Sequence, residues 1–172
     1  MFNNKLTADP KEHIRRAIVL LKQNDNSVLL YAALELRLAT ERLIHNQLSL
    51  SEDATKNALN NNDPKRKKLI MSKIDPESDG DYKIYLNDGV ERILFGIYKN
   101  IPESKIKTIE GRLGNLLHMK LGLNLGIEND PWYKETCLFL TETANYLLER
   151  ITDSQYYFSY KDVPNFELEK IK

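Results

Sequence analysis

With 172 residues, 41% of them hydrophobic and 29% charged, the chain has the length and composition of a globular protein with a sizeable core. Its 25 Lys and Arg balance 25 Asp and Glu, so no global field draws it to nucleic acid or an anionic membrane, and any RNA contact must come from a local patch. Cys137, the only cysteine, excludes an intrachain disulfide and a multi-cysteine metal site, and the absence of an apolar run near ~20 residues or of a signal-like start in MFNNKLTADPKEH predicts a cytoplasmic protein with no membrane partner.

Asp9-Pro10-Lys11-Glu12 is a helix start: Asp9 can cap, Pro10 suits the first turn, and Glu12 can reach back as in a capping box. Ile14, Ala17, Ile18 and Leu21 continue a helical stripe to about Gln23. Asn24-Asp25-Asn26 reads as a turn, and Ser27 as the cap of a long helix from Val28 to Leu50. That helix is apolar over more than half its circumference, which suits a central position with neighbours on several sides. Arg37 and Glu41, four apart, project into its apolar sector beside Leu30, Ile44 and Leu48. Charges placed there are normally paired. Two readings follow: a structural ion pair that fixes helix packing, or side chains that face a polar binding site.

Ser51-Glu52-Asp53 restarts the chain as a polar helix ending in Asn60-Asn61-Asn62, and Asp63-Pro64 caps another. Lys65, Arg66, Lys67 and Lys68 in its first turns oppose the helix dipole, so helix stability does not explain them. They form either a solvated basic face or a phosphate-binding patch. Residues 75–102 read as an insertion. Tyr82 to Leu86 alternates in β fashion, Asn87-Asp88-Gly89 is a hairpin loop, and Val90 to Phe95 is the return strand, preferred over a helix from Asp88 through Tyr98.

Ser104 caps the next predicted helix, SKIKTIEGRLGNLLHMKLG, which runs to Gly122 with two unlike faces. Ile106, Ile109, Leu113, Leu116 and Leu117 gather on one side, and Gly111, Asn115, His118 and Gly122 on the other, with Arg112 beside them. Glycine inside a helix costs about 1 kcal/mol against alanine, so a glycine stripe points to close approach by another backbone. Gly111 and Gly122 are the candidate dimer contacts. The final helix begins at Asp130-Pro131 and runs to about Ile151, with Leu140, Ala144, Leu147, Leu148 and Ile151 as its stripe. Cys137 sits in it, as a buried inert thiol. Residues 152–172 are an extended tail, with Tyr156–Tyr160 and Phe166–Ile171 as short extended pieces that could form a second hairpin against the first. The whole chain reads as one domain: mainly α, an up-and-down helical bundle with a small β-hairpin insertion and an extended C-terminal segment.

The three histidines, His13, His45 and His118, have no metal-ligand spacing, and no phosphate loop or Gly-x-Ser-x-Gly elbow is present. No metal or cofactor is expected. The chemistry-bearing stretch that stands out is Arg112-Leu-Gly-Asn115-Leu-Leu-His118. An arginine and a histidine so spaced, late in a compact helical domain, resemble the signature of the HEPN superfamily (higher eukaryotes and prokaryotes nucleotide-binding). The long second helix, with AALELRLATERL, resembles bacterial members too. The resemblance implies a homodimer whose two motif helices meet at a metal-independent endoribonuclease site. Arg112 and His118 are its catalytic pair and Asn115 holds a phosphate or steadies the imidazole. RNA is the implied substrate, and a toxin–antitoxin or phage-defence setting, with an antitoxin or other protein partner, is the implied context. Many active members have a polar residue directly after the arginine; here it is Leu113. That departure supports the alternative, a catalytically inactive helical module for dimerisation or partner binding.

Overall fold

The computed structural model describes residues 9–23, 25–49, 64–65, 80–87, 89–118, 131–151 and 166–171. They carry helices α1 (Pro10–Leu21) and α2 (Asn26–Ser49), strands β1 (Tyr82–Asn87) and β2 (Arg92–Tyr98), helices α3 (Glu103–Leu117) and α4 (Pro131–Arg150), and strand β3 (Phe166–Lys170). The described part is mainly helical with one small antiparallel sheet. The chain groups into two compact units, Met1–Leu43 with Lys107–Glu149, and Ile44–Ile106 with Arg150–Lys172. Ser51–Asp53, Asn60–Asn62, Arg66, Lys67, Lys68, Gly122 and Tyr156–Tyr160 lie outside the described residues.

In the first unit, α1 begins where its sequence places it. The Asp9 carboxylate accepts the Lys11 N–H at 2.9 Å, and Pro10 fills the first turn. Glu12 does not complete a capping box: its Oε1 accepts from Arg15 Nη1 at 2.6 Å. Ile14 and Ala17 are fully buried. The second helix starts at Asn26, just before the expected Ser27 cap, and the Asp25 carbonyl already takes the Val28 N–H at 3.1 Å. It buries Leu29, Ala32, Ala33, Leu36, Ala39 and Leu43, a broad face as its composition predicts. Buried Thr40 satisfies its hydroxyl on the Leu36 carbonyl at 2.9 Å.

Three side-chain links tie successive helices of this unit. Glu35 of α2 receives α1 through His13 Nδ1 at 2.6 Å and Arg16 Nε at 3.0 Å. Arg37 of α2 has its Nε 3.4 Å from Glu41 and 3.8 Å from Glu110 of α3. Arg112 of α3 lies over the ring of Phe139 of α4, 3.9 Å from the centroid.

In α4 the buried set is Thr136, Phe139, Leu140, Thr143, Ala144 and Leu147. The stripe is therefore rotated from the expected one: Leu148 is exposed, and the two threonines take core positions. The Glu103 start of α3 also precedes the expected Ser104 cap, because the Pro102 carbonyl accepts both the Lys105 and Ile106 N–H groups, at 3.0 and 3.1 Å.

The second unit holds the sheet, in strand order β2-β1-β3. The hairpin forms as expected, with Tyr82 facing Tyr98 and Asn87 facing Arg92. Gly89 has φ of 87°, a conformation few other residues adopt, and donates its N–H to the Asn87 side chain at 3.0 Å. Val90, expected in the return strand, lies in the loop and is 90% exposed. The register slips between Ile84, opposite Gly96, and Tyr85, opposite Leu94, which makes Phe95 a bulge. The extended piece at Phe166 pairs antiparallel with β1, against the hairpin. Arg92 reaches across the Tyr85 ring, 3.7 Å from its centroid, to Glu167 at 2.9 Å and Glu169 at 3.1 Å. Bonds from Asn87 and then Arg92 hold the Glu167 carboxyl below its usual range. The hairpin base is closed by Asp81, which accepts from Asn100 N at 2.9 Å and from Arg150 Nη1 at 2.8 and 2.7 Å.

Burial pushes the Glu35 carboxyl up, but hydrogen bonds from Arg16 and His13, with their charges, outweigh it and leave it below its ordinary value. A depressed folded pKa stabilises the native state above the unfolded value and loses that contribution as pH falls through the folded one. Wild type is therefore expected to lose more stability than Glu35→Gln between about pH 6 and pH 3, in urea unfolding series at each pH. Parallel curves would remove Glu35 as an acid-sensitive link.

Candidate functional site

The apolar residues Ile106, Ile109, Leu113 and Leu116 of α3 are all buried, and this sets the rotation of the helix about its axis. Asn115 and His118 are consequently exposed on the opposite side, and Arg112 is exposed at the flank, next to the buried stripe. The helix ends at Leu117, short of Gly122. His118 sits in the closing turn, its N–H still bonded to the Gly114 carbonyl at 2.9 Å. The imidazole thus stands at the C-terminal end of α3, open to solvent.

Close packing among the described residues does not explain Gly111 or Gly114. A Cβ built on Gly111 or on Gly114 meets nothing within 4 Å.

Arg112 is exposed yet anchored. Its guanidinium lies on Phe139, whose ring is buried in α4. A stack of this kind occupies the π face of the guanidinium and leaves its in-plane donors free for an anion. A spacing of six residues places Arg112 and His118 about 120° apart and ~9 Å along the helix, so one copy does not readily bring both to a single small atom.

The other candidates are elsewhere. Arg37 and Glu41 are half-buried, and Glu110, on the buried side of α3, completes their cluster with only 5% of its side chain exposed. The sequence placed the pair in an apolar sector but did not reveal Glu110 as the third member. Of the basic run, Lys65 is described and is half-buried beside buried Pro64. Cys137, expected buried, is half-buried and free. The His13–Arg16–Glu35 cluster has no sequence signal, since 22 residues separate His13 from Glu35. Phe139 gave no signal beyond its apolar character. Among the described residues, no group of three or more His, Cys, Asp or Glu is arranged to hold a metal ion, and no helix is long and apolar enough to cross a membrane.

Comparison of the chain with protein-family models, with curated proteins and with solved structures returns no match.

The open space at Gly111 has a direct consequence. Gly111→Ala is expected to raise stability in dilute solution by about 0.5–1 kcal/mol, because alanine is the better helix former and its Cβ meets no described residue within 4 Å. Urea unfolding measures it. A loss of stability would mean that something fills that space, a second copy included.

Proposed function

We propose that the chain is a HEPN-like, metal-independent endoribonuclease that works as a homodimer, with Arg112 and His118 of two facing α3 helices forming one shared site. The up-and-down helical arrangement and a toxin-like or phage-defence role, with a partner protein to restrain it, belong to the same proposal. One observation carries it: the imidazole of His118 and the guanidinium of Arg112 are both exposed on α3, where no described residue comes within 4 Å of a Cβ built on Gly111 or Gly114. An imidazole sealed among aliphatic side chains could not reach a substrate.

The chemistry follows from the groups. A ribose 2′-hydroxyl attacks the adjacent phosphorus, forming the 2′-O–P bond and breaking the bond to the 5′-oxygen. A neutral His118 takes the hydroxyl proton, and the protonated copy from the second protomer returns one to the leaving oxygen. Arg112 holds the non-bridging oxygens and the charge that grows on them in the transition state. Asn115, one turn before His118, steadies the imidazole or adds a phosphate contact. Lys65, Arg66, Lys67 and Lys68 supply a phosphate-binding patch of their own.

A second reading, an inactive dimerisation or partner-binding module, is favoured by Leu113. That side chain is fully buried, so the position after the arginine contributes no polar group to the exposed face.

Cleavage separates these, and a second measurement tests the interface that both assume. With a chelator present, wild type is expected to cleave single-stranded RNA, and His118→Ala to lose about 10²-fold or more at unchanged circular dichroism. Cleavage that survives the change, or never appears in wild type at high concentration, leaves the inactive module. Both readings expect Gly111→Leu to yield monomers in light scattering, and an unchanged mass would remove the α3 face as the interface.

A further inference from the structure

We infer that Phe139 is a positioning residue for the proposed site: its buried ring holds the Arg112 guanidinium in the pose that presents it to a phosphate. The inference rests on the ribonuclease reading above, and its own evidence is separate. The Arg112 Cζ lies 3.9 Å from the Phe139 centroid, within one protomer. The ring is only 7% exposed, so it is fixed by its surroundings, while the guanidinium it carries is open to solvent. An exposed arginine on a helix ordinarily samples many rotamers. A phosphate must then restrict them when it binds, and part of the binding free energy is lost to ordering. A fixed aromatic platform does that ordering beforehand. It does so without using the donors, because all five N–H groups lie in the guanidinium plane and the ring occupies only its face. Lysine, a point charge without a planar fork, would not be oriented in this way. The arrangement thus assigns α4 a part in a site that otherwise belongs to α3: the apolar stripe that anchors α4 also supplies the platform.

The test is a double-mutant cycle on the full chain. Phe139→Leu retains a buried apolar side chain and removes the π surface; Phe139→Met is the second choice if the first does not fold, and Phe139→Tyr restores a ring. In the wild-type background Phe139→Leu is expected to lower kcat/KM on single-stranded RNA roughly two- to fivefold, with Phe139→Tyr close to wild type. In an Arg112→Ala background, the same change is expected to do nothing further, since the residue it acts through is gone. The 15N relaxation of the Arg112 Nε–H, which needs no activity, is expected to show a less ordered guanidinium in Phe139→Leu. An equal loss in both backgrounds would make Phe139 a plain core residue, and an equally ordered Nε–H would overturn the platform directly. If wild type cleaves no RNA, the ribonuclease reading falls, and with it the role given to Phe139. That failure is told apart from the others by the wild-type assay alone.

Discussion

The rotation of α3 about its own axis decides what this protein can offer to a ligand. Four fully or nearly buried side chains, Ile106, Ile109, Leu113 and Leu116, fix it. Burying each contributes about 1.5–3 kcal/mol, so the stripe as a whole is worth on the order of 10 kcal/mol, an upper figure because unfolded chains already bury some apolar surface. Turning the helix to hide His118 would expose that stripe. No single hydrogen bond from an imidazole or an amide, worth about 0.5–1.5 kcal/mol net, competes with it. The openness of Asn115 and His118, and of Arg112 at their flank, therefore follows from the hydrophobic effect acting on the buried stripe of the same helix.

The links between helices show a second constraint, that charge brought near the core must be shared. Glu35 takes two cationic or proton-donating partners from α1, and Arg37 lies between Glu41 and Glu110. The His13 ring is the informative case. Its Nδ1 lies 2.6 Å from Glu35 and 2.7 Å from Arg16, and one nitrogen cannot donate to the first while accepting from the second. The ionised carboxylate is the stronger partner, and Arg16 keeps its own contact with Glu35 through Nε at 3.0 Å. Nδ1–H donating to the carboxylate is thus the consistent assignment, with the Arg16 charge placed beside the pair. Such clusters hold helices in register but add less stability than their number suggests, because half-exposed ion pairs are screened and ordering long side chains costs entropy.

Local chemistry made part of this legible in the sequence. Asp9-Pro10 announced the start of α1 because a cap and a proline act within one turn. Asn87 and Gly89 announced the hairpin because a side-chain acceptor and a positive φ belong to a tight loop. The errors have physical causes. Val90 reads as a strand residue by its β-branched side chain, yet the loop between Asn87 and Arg92 takes it. A purely apolar stripe leaves out Thr136 and Thr143, but a threonine hydroxyl can bond to its own helix and let the methyl face the core, so the buried face of α4 keeps Leu140, Ala144 and Leu147 and extends to the threonines in place of Leu148. The Arg37–Glu41 pair was visible as charge in an apolar sector. Its partner Glu110, like the Glu35 that meets His13 and the Phe139 under Arg112, comes from a distant stretch of chain, and no periodicity encodes which helices will meet.

This distinction bears on the site itself. The residues of the RLGNLLH stretch are given by sequence, and so is their face on the helix; what sequence does not give is which of them are held. Arg112 is held, by Phe139. His118, at the last turn of α3, has its backbone tied to Gly114 and its ring exposed. On the proposed reading the asymmetry has a use. A phosphate clamp works best when ordered in advance, because it must be complementary to a charge distribution that exists only briefly. Each proton carrier serves one oxygen, the attacking one for one protomer and the leaving one for the other, and needs to be open to it. A two-fold pairing of α3 helices would set one anchored arginine against one exposed histidine from each side, supplying the pair of side chains that one helix, at a spacing of six residues, holds too far apart.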